Sequence, residues 1–291
     1  MSVLPLIRNA LHINWEKLMR WKRILDAFLH PKYLGYILSK EYIKWYEGFS
    51  YNFTSNGEKH LIEVLAKEPM EVIFDVGANI GEWTQMAIQS FQGATIHSFE
   101  LSDLTFPVLT HNLRNEDRVQ LNNCGLSNET KEIVYKDYGE NSGVNTIIQN
   151  AEFHDRDIVP TMRKAKVVAG DQYCLEHKIH TIDFLKIDVE GAEHLVLGGF
   201  SQMLCANAIK VIQFEYGYTH ADAKFLIKDF YDLFEKYGYV VGPLKPTGVL
   251  FRDFVYALND FNSGPNYVAV PKKDEALIRK ICGTPIKGFL D

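Results

Sequence analysis

The stretch Val72-Ile73-Phe74-Asp75-Val76-Gly77-Ala78-Asn79-Ile80-Gly81 decides the fold. Its leading residues form a short, mostly apolar run with an acid near its end, as expected of a strand buried on both faces of a parallel sheet. Gly77 and Gly81 then permit a tight turn and a close approach of backbone to a ligand. A helix expected from Glu82 points its unpaired N–H groups and its positive dipole end at that turn, which suits a carboxylate or phosphate. Gly-x-x-x-Gly alone also occurs in plain turns, so a second element has to decide.

That element is Phe99-Glu100, which closes the next expected strand, Thr95 to Phe99. An acid there can accept both hydrogen bonds of an adenosine ribose diol. A nicotinamide site usually reads Gly-x-Gly-x-x-Gly, but here Asn79 stands at the middle glycine and Thr84 follows Gly81 by three. A loop carrying Asp75 suits an amino-acid carboxylate and ammonium better than a pyrophosphate. The expected cofactor is therefore S-adenosylmethionine, with Asp75, Gly77, Asn79, Gly81, Thr84 and Glu100 as its binding residues.

A second strand-to-turn-to-helix unit reads Lys186-Ile187-Asp188-Val189-Glu190-Gly191-Ala192-Glu193. Asp188 and Glu190 fall at the carboxyl edge of the expected sheet, and Glu215, closing Gln213-Phe214-Glu215, falls beside them. Three carboxylates there have several uses. They can hold cationic groups of a ligand, so that Asp188 also counts among the cofactor residues. One can take a proton from an acceptor. Asp188 and Glu215 can instead hold a divalent cation such as Mg, which would acidify the acceptor. Glu190 and Glu193 also suit a helix N-terminus, and His194 reads as a helix-face residue. Methyl transfer asks mainly for in-line positioning in a dry pocket and removal of one proton. The region from Glu132 to Val168 and the aromatic N-terminus are the candidate lids.

Outward from these motifs, short apolar runs alternate with longer amphipathic ones, the pattern of a parallel sheet flanked by helices. Strands are expected at Val72 to Val76, Thr95 to Phe99, Val119 to Leu126, Phe184 to Ile187 and Lys210 to Phe214, with two more at Tyr239 to Val241 and Tyr267 to Val270. Helices are expected at Glu82 to Phe91, Leu104 to Leu113, around Ala192 to Leu197, and at Ala223 to Tyr237, which Gly238 ends. The domain layout reads as a helical, aromatic-rich cap over 1–69, a cofactor-binding domain over 70–271 and a short tail over 272–291. The cap holds Trp15, Trp21, Phe28, Tyr33, Tyr36, Tyr42, Trp45 and Tyr46 beside Arg8, Lys17, Arg20, Lys22, Arg23 and Lys32. Peripheral docking on an anionic membrane is one use of such a segment; a helical cap with a solvated charged face is the other.

The 291 residues are 46% hydrophobic and 23% charged, ordinary for a globular chain and against long disorder. A net charge of −6 gives no global field for nucleic acid, and none is expected as a partner. Cys124, Cys174, Cys205 and Cys282 are scattered, without the spacing of a zinc site or redox dithiol. No apolar run reaches the roughly 20 residues that span a bilayer, and the start lacks a secretory layout. The cytoplasm is the expected compartment. The oligomeric state is open.

The three blocks Asp75 to Gly81, Phe99-Glu100 and Leu185 to Glu193 together resemble the FkbM family of methyltransferases, over about residues 55 to 271 and with Asn56-Gly57-Glu58 included. Lys-Ile-Asp-x-Glu-Gly-x-Glu is the most specific of them. Asn123-Cys124-Gly125-Leu126-Ser127 is similar to the family's stretch after its third strand, which the resemblance places near the adenine, adding Leu126 to the cofactor residues. The resemblance implies a Rossmann-like class I methyltransferase fold, with a seven-stranded, mostly parallel sheet whose last strand is reversed. It implies S-adenosylmethionine as donor, and O-methylation of a glycan, polyketide or other secondary metabolite as the usual reaction. An N-methyltransferase on an amine or amide, a nicotinamide-dependent oxidoreductase and a non-catalytic cofactor-binding scaffold are the competing readings.

Overall fold

The computed structural model describes residues 30–47, 49–139, 142–149, 159–256 and 265–283. The expectations for Trp15, Trp21, Phe28 and the basic residues from Arg8 to Arg23 lie outside the described residues. Contacts divide the chain after Glu47 into two units. Described in the smaller is helix α1, Pro31–Glu47, whose Tyr36, Tyr42 and Trp45 are exposed.

The larger unit opens with α2 (Glu58–Leu65), β1 (Val72–Val76), α3 (Glu82–Ser90), β2 (Thr95–Phe99), α4 (Phe106–Asn112) and β3 (Val119–Asn122). Three strands follow: β4 (Gly125–Ser127), β5 (Lys131–Asp137) and β6 (Thr161–Ala169). Next come α5 (Gly170–Glu176), β7 (Ile182–Ile187), α6 (Glu193–Gly199), α7 (Ser201–Cys205), β8 (Ile209–Glu215) and α8 (Thr219–Ala223). The chain continues through α9 (Ile227–Lys236), β9 (Tyr239–Lys245), β10 (Gly248–Val249), β11 (Asn266–Pro271) and α10 (Glu275–Ile281).

The main sheet runs β10-β9-β11-β8-β7-β1-β2-β3. The pairs joining β3, β2, β1, β7 and β8 are parallel, whereas β11 is antiparallel to both β8 and β9. This is the expected parallel sheet with a reversed last strand, plus the two-residue edge strand β10. Alternate residues of each central strand feed two cores, as the period of two requires. Phe74, Phe99, Leu185, Ile212 and Phe214 enter one; Ile73, Ile96, Phe184 and Val211 enter the other, with Leu61, Ile62 and Leu65 of α2 and Trp83 and Ala87 of α3. Burial of each large side chain contributes roughly 1.5–3 kcal/mol.

Four expectations need correction. Residues 119–126 are not one strand: β3 stays in the main sheet, while β4 joins β6 and β5 in a second, three-stranded sheet. The chain turns away at Asn123, whose side-chain amide donates to the Glu100 carbonyl at 3.0 Å. Residues 223–237 are not one helix. Lys224 is left-handed (φ 56°) and Leu226 extended, with the Leu226 N–H donating to Asp229 Oδ2 at 2.7 Å, so α9 starts anew at Ile227. The tail contains α10, capped by Asp274 and anchored by the buried Ile281. Finally, α2 belongs to the same compact unit as the sheet, so the 69/70 boundary falls inside that unit.

Candidate functional site

Strand β1 leads to β2 on one side of the sheet and β7 to β8 on the other. That reversal opens a crevice beyond the carboxyl ends of β1 and β7, where open α/β sheets bind ligands. The glycine loop lies on one lip. Gly77 has φ +85°, and a Cβ built there would lie 1.8 Å from the Asp188 carbonyl oxygen, so the loop rests on backbone of the opposite lip. Gly81, at φ +92°, starts α3.

Asn79 adopts a left-handed conformation (φ 48°), and its N–H donates to Glu100 Oε2 at 2.9 Å. The Ser102 N–H donates to the other oxygen, Oε1, at 2.8 Å. Glu100 is buried, and burial pushes its carboxyl up to about 7; the Ser102 and Asn79 N–H groups oppose that rise, and the charge of Asp75 adds to it. Asn79 Oδ1 is buried without a hydrogen-bond partner. A loop with no room for a Cβ at Gly77, a buried carboxylate and an orphaned amide oxygen fit a ligand that brings donors, as the ribose diol and ammonium of S-adenosylmethionine do.

Asp75 and Thr84 lie at this site but face inward. Both are fully buried, with Thr84 Oγ1 donating to Asp75 Oδ2 at 2.6 Å and lying 2.9 Å from Ser98 Oγ. These bonds hold the loop from below. Leu126 likewise is a core residue of β4, in the cluster with Phe99 and Tyr173.

The opposite lip carries the acids. Oxygens of Asp188, Glu190 and Glu215 lie within 4.8 Å of one another, each residue partly exposed. Burial pushes Asp188 up, but the charge of Lys186 and hydrogen bonds from Glu215 and Lys186 outweigh it and leave the carboxyl below its usual range. Burial and the charges of Asp188 and Glu190 hold Glu215 well above it. The two neighbouring environments thus drive the proton affinities of Asp188 and Glu215 in opposite directions. The same oxygens have the spacing that a divalent cation would need.

Two residues that the sequence reading left unassigned complete this edge. Lys186 Nζ lies 3.3 Å from Asp75 Oδ1 and 3.2 Å from Asp188 Oδ2. Burial works against its charge, yet Asp75, Asp188 and Glu58 raise its proton affinity above the usual lysine value. Its signal in the sequence was a charge inside the otherwise apolar Phe184-Leu185-Lys186-Ile187. Tyr51 is exposed, and its phenol is pushed up to about 12 by partial burial and by Glu215, Tyr218, Glu190 and Asp188. Nothing in the irregular stretch around Tyr51 marks it in advance.

Part of the expected lid region crosses the crevice. A Cβ on Gly143 would lie 3.8 Å from Asn79 Nδ2, and Thr146 Oγ1 donates to the Glu190 carbonyl at 2.7 Å. Residues 143–146 thus run from the glycine loop to the acid turn. Glu193 acts as the helix-start acid: its oxygens accept from the Val189 and Gly191 N–H groups at 2.9 and 3.0 Å, and His220 Nε2 lies at 2.8 Å. His194 stacks on Phe225, with ring centroids 4.7 Å apart, as a helix-face residue does.

The chain is 28% identical over 165 residues to the 31-O-demethyl-FK506 methyltransferase FkbM of Streptomyces tacrolimicus, covering 48% of this chain and 62% of the relative. It is 29% identical over 142 residues to Methyltransferase 1 of Beauveria bassiana, covering 44% of this chain and 57% of the relative. Each match thus spans less than two thirds of the relative's length. Among solved structures, a TehB-like SAM-dependent methyltransferase of Corynebacterium glutamicum superposes with a TM-score of 0.36 at 13% identity, over 74% of this chain and 85% of that one. The model of the methyltransferase FkbM domain matches residues 75–241, more than half of the chain and the whole span from Asp75 through both acid turns. The chain belongs to the FkbM methyltransferase family.

Proposed function

We propose that this protein methylates a hydroxyl oxygen of a glycan or secondary-metabolite acceptor, with Asp188 as the group that takes the hydroxyl proton. The observation that carries this is the convergence of Asp188, Glu190 and Glu215 oxygens within 4.8 Å of one another at the carboxyl edge, with Lys186 Nζ 3.2 Å from Asp188 Oδ2, across the crevice from the glycine loop. Gly77, Asn79, Gly81 and Glu100 hold the donor, and Glu100 accepts from the ribose. Bound there, S-adenosylmethionine supplies a methyl group already activated on a sulfonium. The remaining work is to orient one hydroxyl, exclude water and accept one proton. Glu190 and Tyr51 orient the acceptor beside Asp188, and residues 143–146 act as the lid. One relative is named for an O-demethyl compound, in keeping with an oxygen acceptor. The spacing of the Asp188 and Glu215 oxygens favours one second reading, a divalent cation that acidifies the hydroxyl.

Labelled S-adenosylmethionine incubated with the protein and an extract of its native host tests both. The expected product carries the label as an O-methyl group, formed equally well in the presence of a chelator. Label on nitrogen overturns the hydroxyl assignment, and loss of transfer on chelation replaces the proton-sharing pair by the metal.

Glu100 makes donor binding depend on pH. A ribose diol donates to the ionised carboxylate, and the carboxyl titrates at about 7 in the free protein. Affinity is therefore full above that value and lost as pH falls through it. The dissociation constant of the demethylated product should rise about tenfold from pH 8 to pH 6, as the competent fraction falls. Glu100→Gln should flatten this profile at the weak end, and a wild-type profile already flat would remove Glu100 from the ribose. The same raised value costs the free fold stability as pH climbs from the ordinary glutamate range through 7, because the folded state binds that proton more tightly.

A further inference from the structure

One face of the central sheet is crossed by a row of polar residues. Ser98 of β2, Asp75 of β1, Lys186 of β7 and Gln213 of β8 are register partners in turn, and all four are buried. Their neighbours two residues earlier, Ile96, Ile73, Phe184 and Val211, lie in the core beneath α2 and α3. The row is tied on the α2 side by Gln213 Nε2 donating to Glu58 Oε2 at 2.7 Å, and on the α3 side by Thr84 bridging Asp75 and Ser98. Its one cation, Lys186, also lies over the Trp83 ring, 5.8 Å from the centroid.

A buried ion pair is a poor way to stabilise a sheet, since desolvation offsets most of the attraction. Its use here is geometric. Lys186 touches Asp75, which underlies the donor loop, and Asp188, which stands at the acceptor edge. We propose that Lys186 is a positioning residue for methyl transfer, a clamp whose ammonium fixes the Asp188 carboxylate relative to the donor loop. The clamp rests on the reading of Asp188 as proton acceptor. Gln213 and Glu58 hold the far side of the row, so the ammonium has two close carboxylates and no freedom to serve one alone.

The test compares Lys186→Met with Asp75→Asn/Lys186→Met in the full chain. The single variant strands the buried Asp75 charge and should melt at lower temperature; the double variant removes that charge and should recover. Both should bind the demethylated product with an affinity within about threefold of wild type, a difference well under the 1.4 kcal/mol of a tenfold change. Both should transfer labelled methyl into native-host extract, at saturating donor, at a rate lower by about thirtyfold or more, as a misplaced catalytic group does. Recovery of transfer in the double variant would show that Lys186 only neutralises Asp75 and overturn the clamp. So would a loss of product affinity as large as the loss of rate, which would confine Lys186 to the donor loop. Asp188→Asn, run alongside, separates the two ideas. Full transfer by that variant sinks the Asp188 reading and the clamp with it; an inactive Asp188→Asn with a restored double variant sinks the clamp alone.

Discussion

Asp188→Asn should lower turnover by about 10²–10⁴-fold, the usual range for removing a proton acceptor, while product affinity changes by no more than about threefold. Asparagine keeps the shape and leaves Lys186 its partner Asp75, 3.3 Å away, so the fold should survive. The informative contrast is with Glu215. Burial, two neighbouring carboxylates and a hydrogen bond with Asp188 all raise that group's proton affinity. Glutamine reproduces a neutral donor, so Glu215→Gln should retain turnover within about tenfold, because the hydrogen bond to the charged partner is preserved. A divalent cation would instead need both carboxylates ionised, and both amide variants would then be equally inactive. Steady-state rates of the two variants, with and without chelator, decide between these outcomes. Retained turnover in Asp188→Asn would remove this edge from the chemistry.

The second large effect is expected at Gly77. An alanine there places its Cβ 1.8 Å from the Asp188 oxygen and 2.8 Å from its carbon, at φ +85°. Strain at that φ costs roughly 1–2 kcal/mol, and two backbone segments must also separate. The loop N–H groups of Gly77 and Ala78, which now donate to the Phe99 carbonyl at 3.0 and 2.9 Å, would shift with them. The total should reach about 3 kcal/mol or more, with donor binding lost even where the chain folds. Gly93 is the control, with nothing within 4 Å of a built Cβ and no positive φ. Gly93→Ala should change stability by no more than about 1 kcal/mol. Denaturant midpoints and product titrations of the two variants measure the contrast; equal behaviour would mean that the loop does not depend on its contact with Asp188.

Local signals carried much of this site. Gly77 and Gly81 announced their turn because only glycine tolerates those angles, and Glu100 announced itself by closing a strand. The central strands were legible because each is an apolar run between turns. What stayed hidden depends on partners far away in sequence. Nothing local to Asp75 and Thr84 shows that they bond to each other, to Ser98 and to Lys186. Strand β4, which carries Leu126, leaves for a second sheet that no periodicity distinguishes from a continuation of β3. Tyr51 feels the charge of the acids from a stretch without repeat, and α9 restarts at Ile227 because one side chain, Asp229, competes for the Leu226 N–H.

The central claim is that the crevice between β1 and β7 holds S-adenosylmethionine with Glu100 on its ribose. Parallel calorimetric titrations with S-adenosylmethionine, its demethylated product and NAD, on the wild type and on Glu100→Ala, test it most directly. The two sulfur nucleosides should bind and NAD should not. Glu100→Ala should weaken both by at least about tenfold, since hydrogen bonds to a charged group are worth roughly 1.5–3 kcal/mol. No binding of either sulfur nucleoside, or unchanged affinity in a folded Glu100→Ala protein, would contradict it.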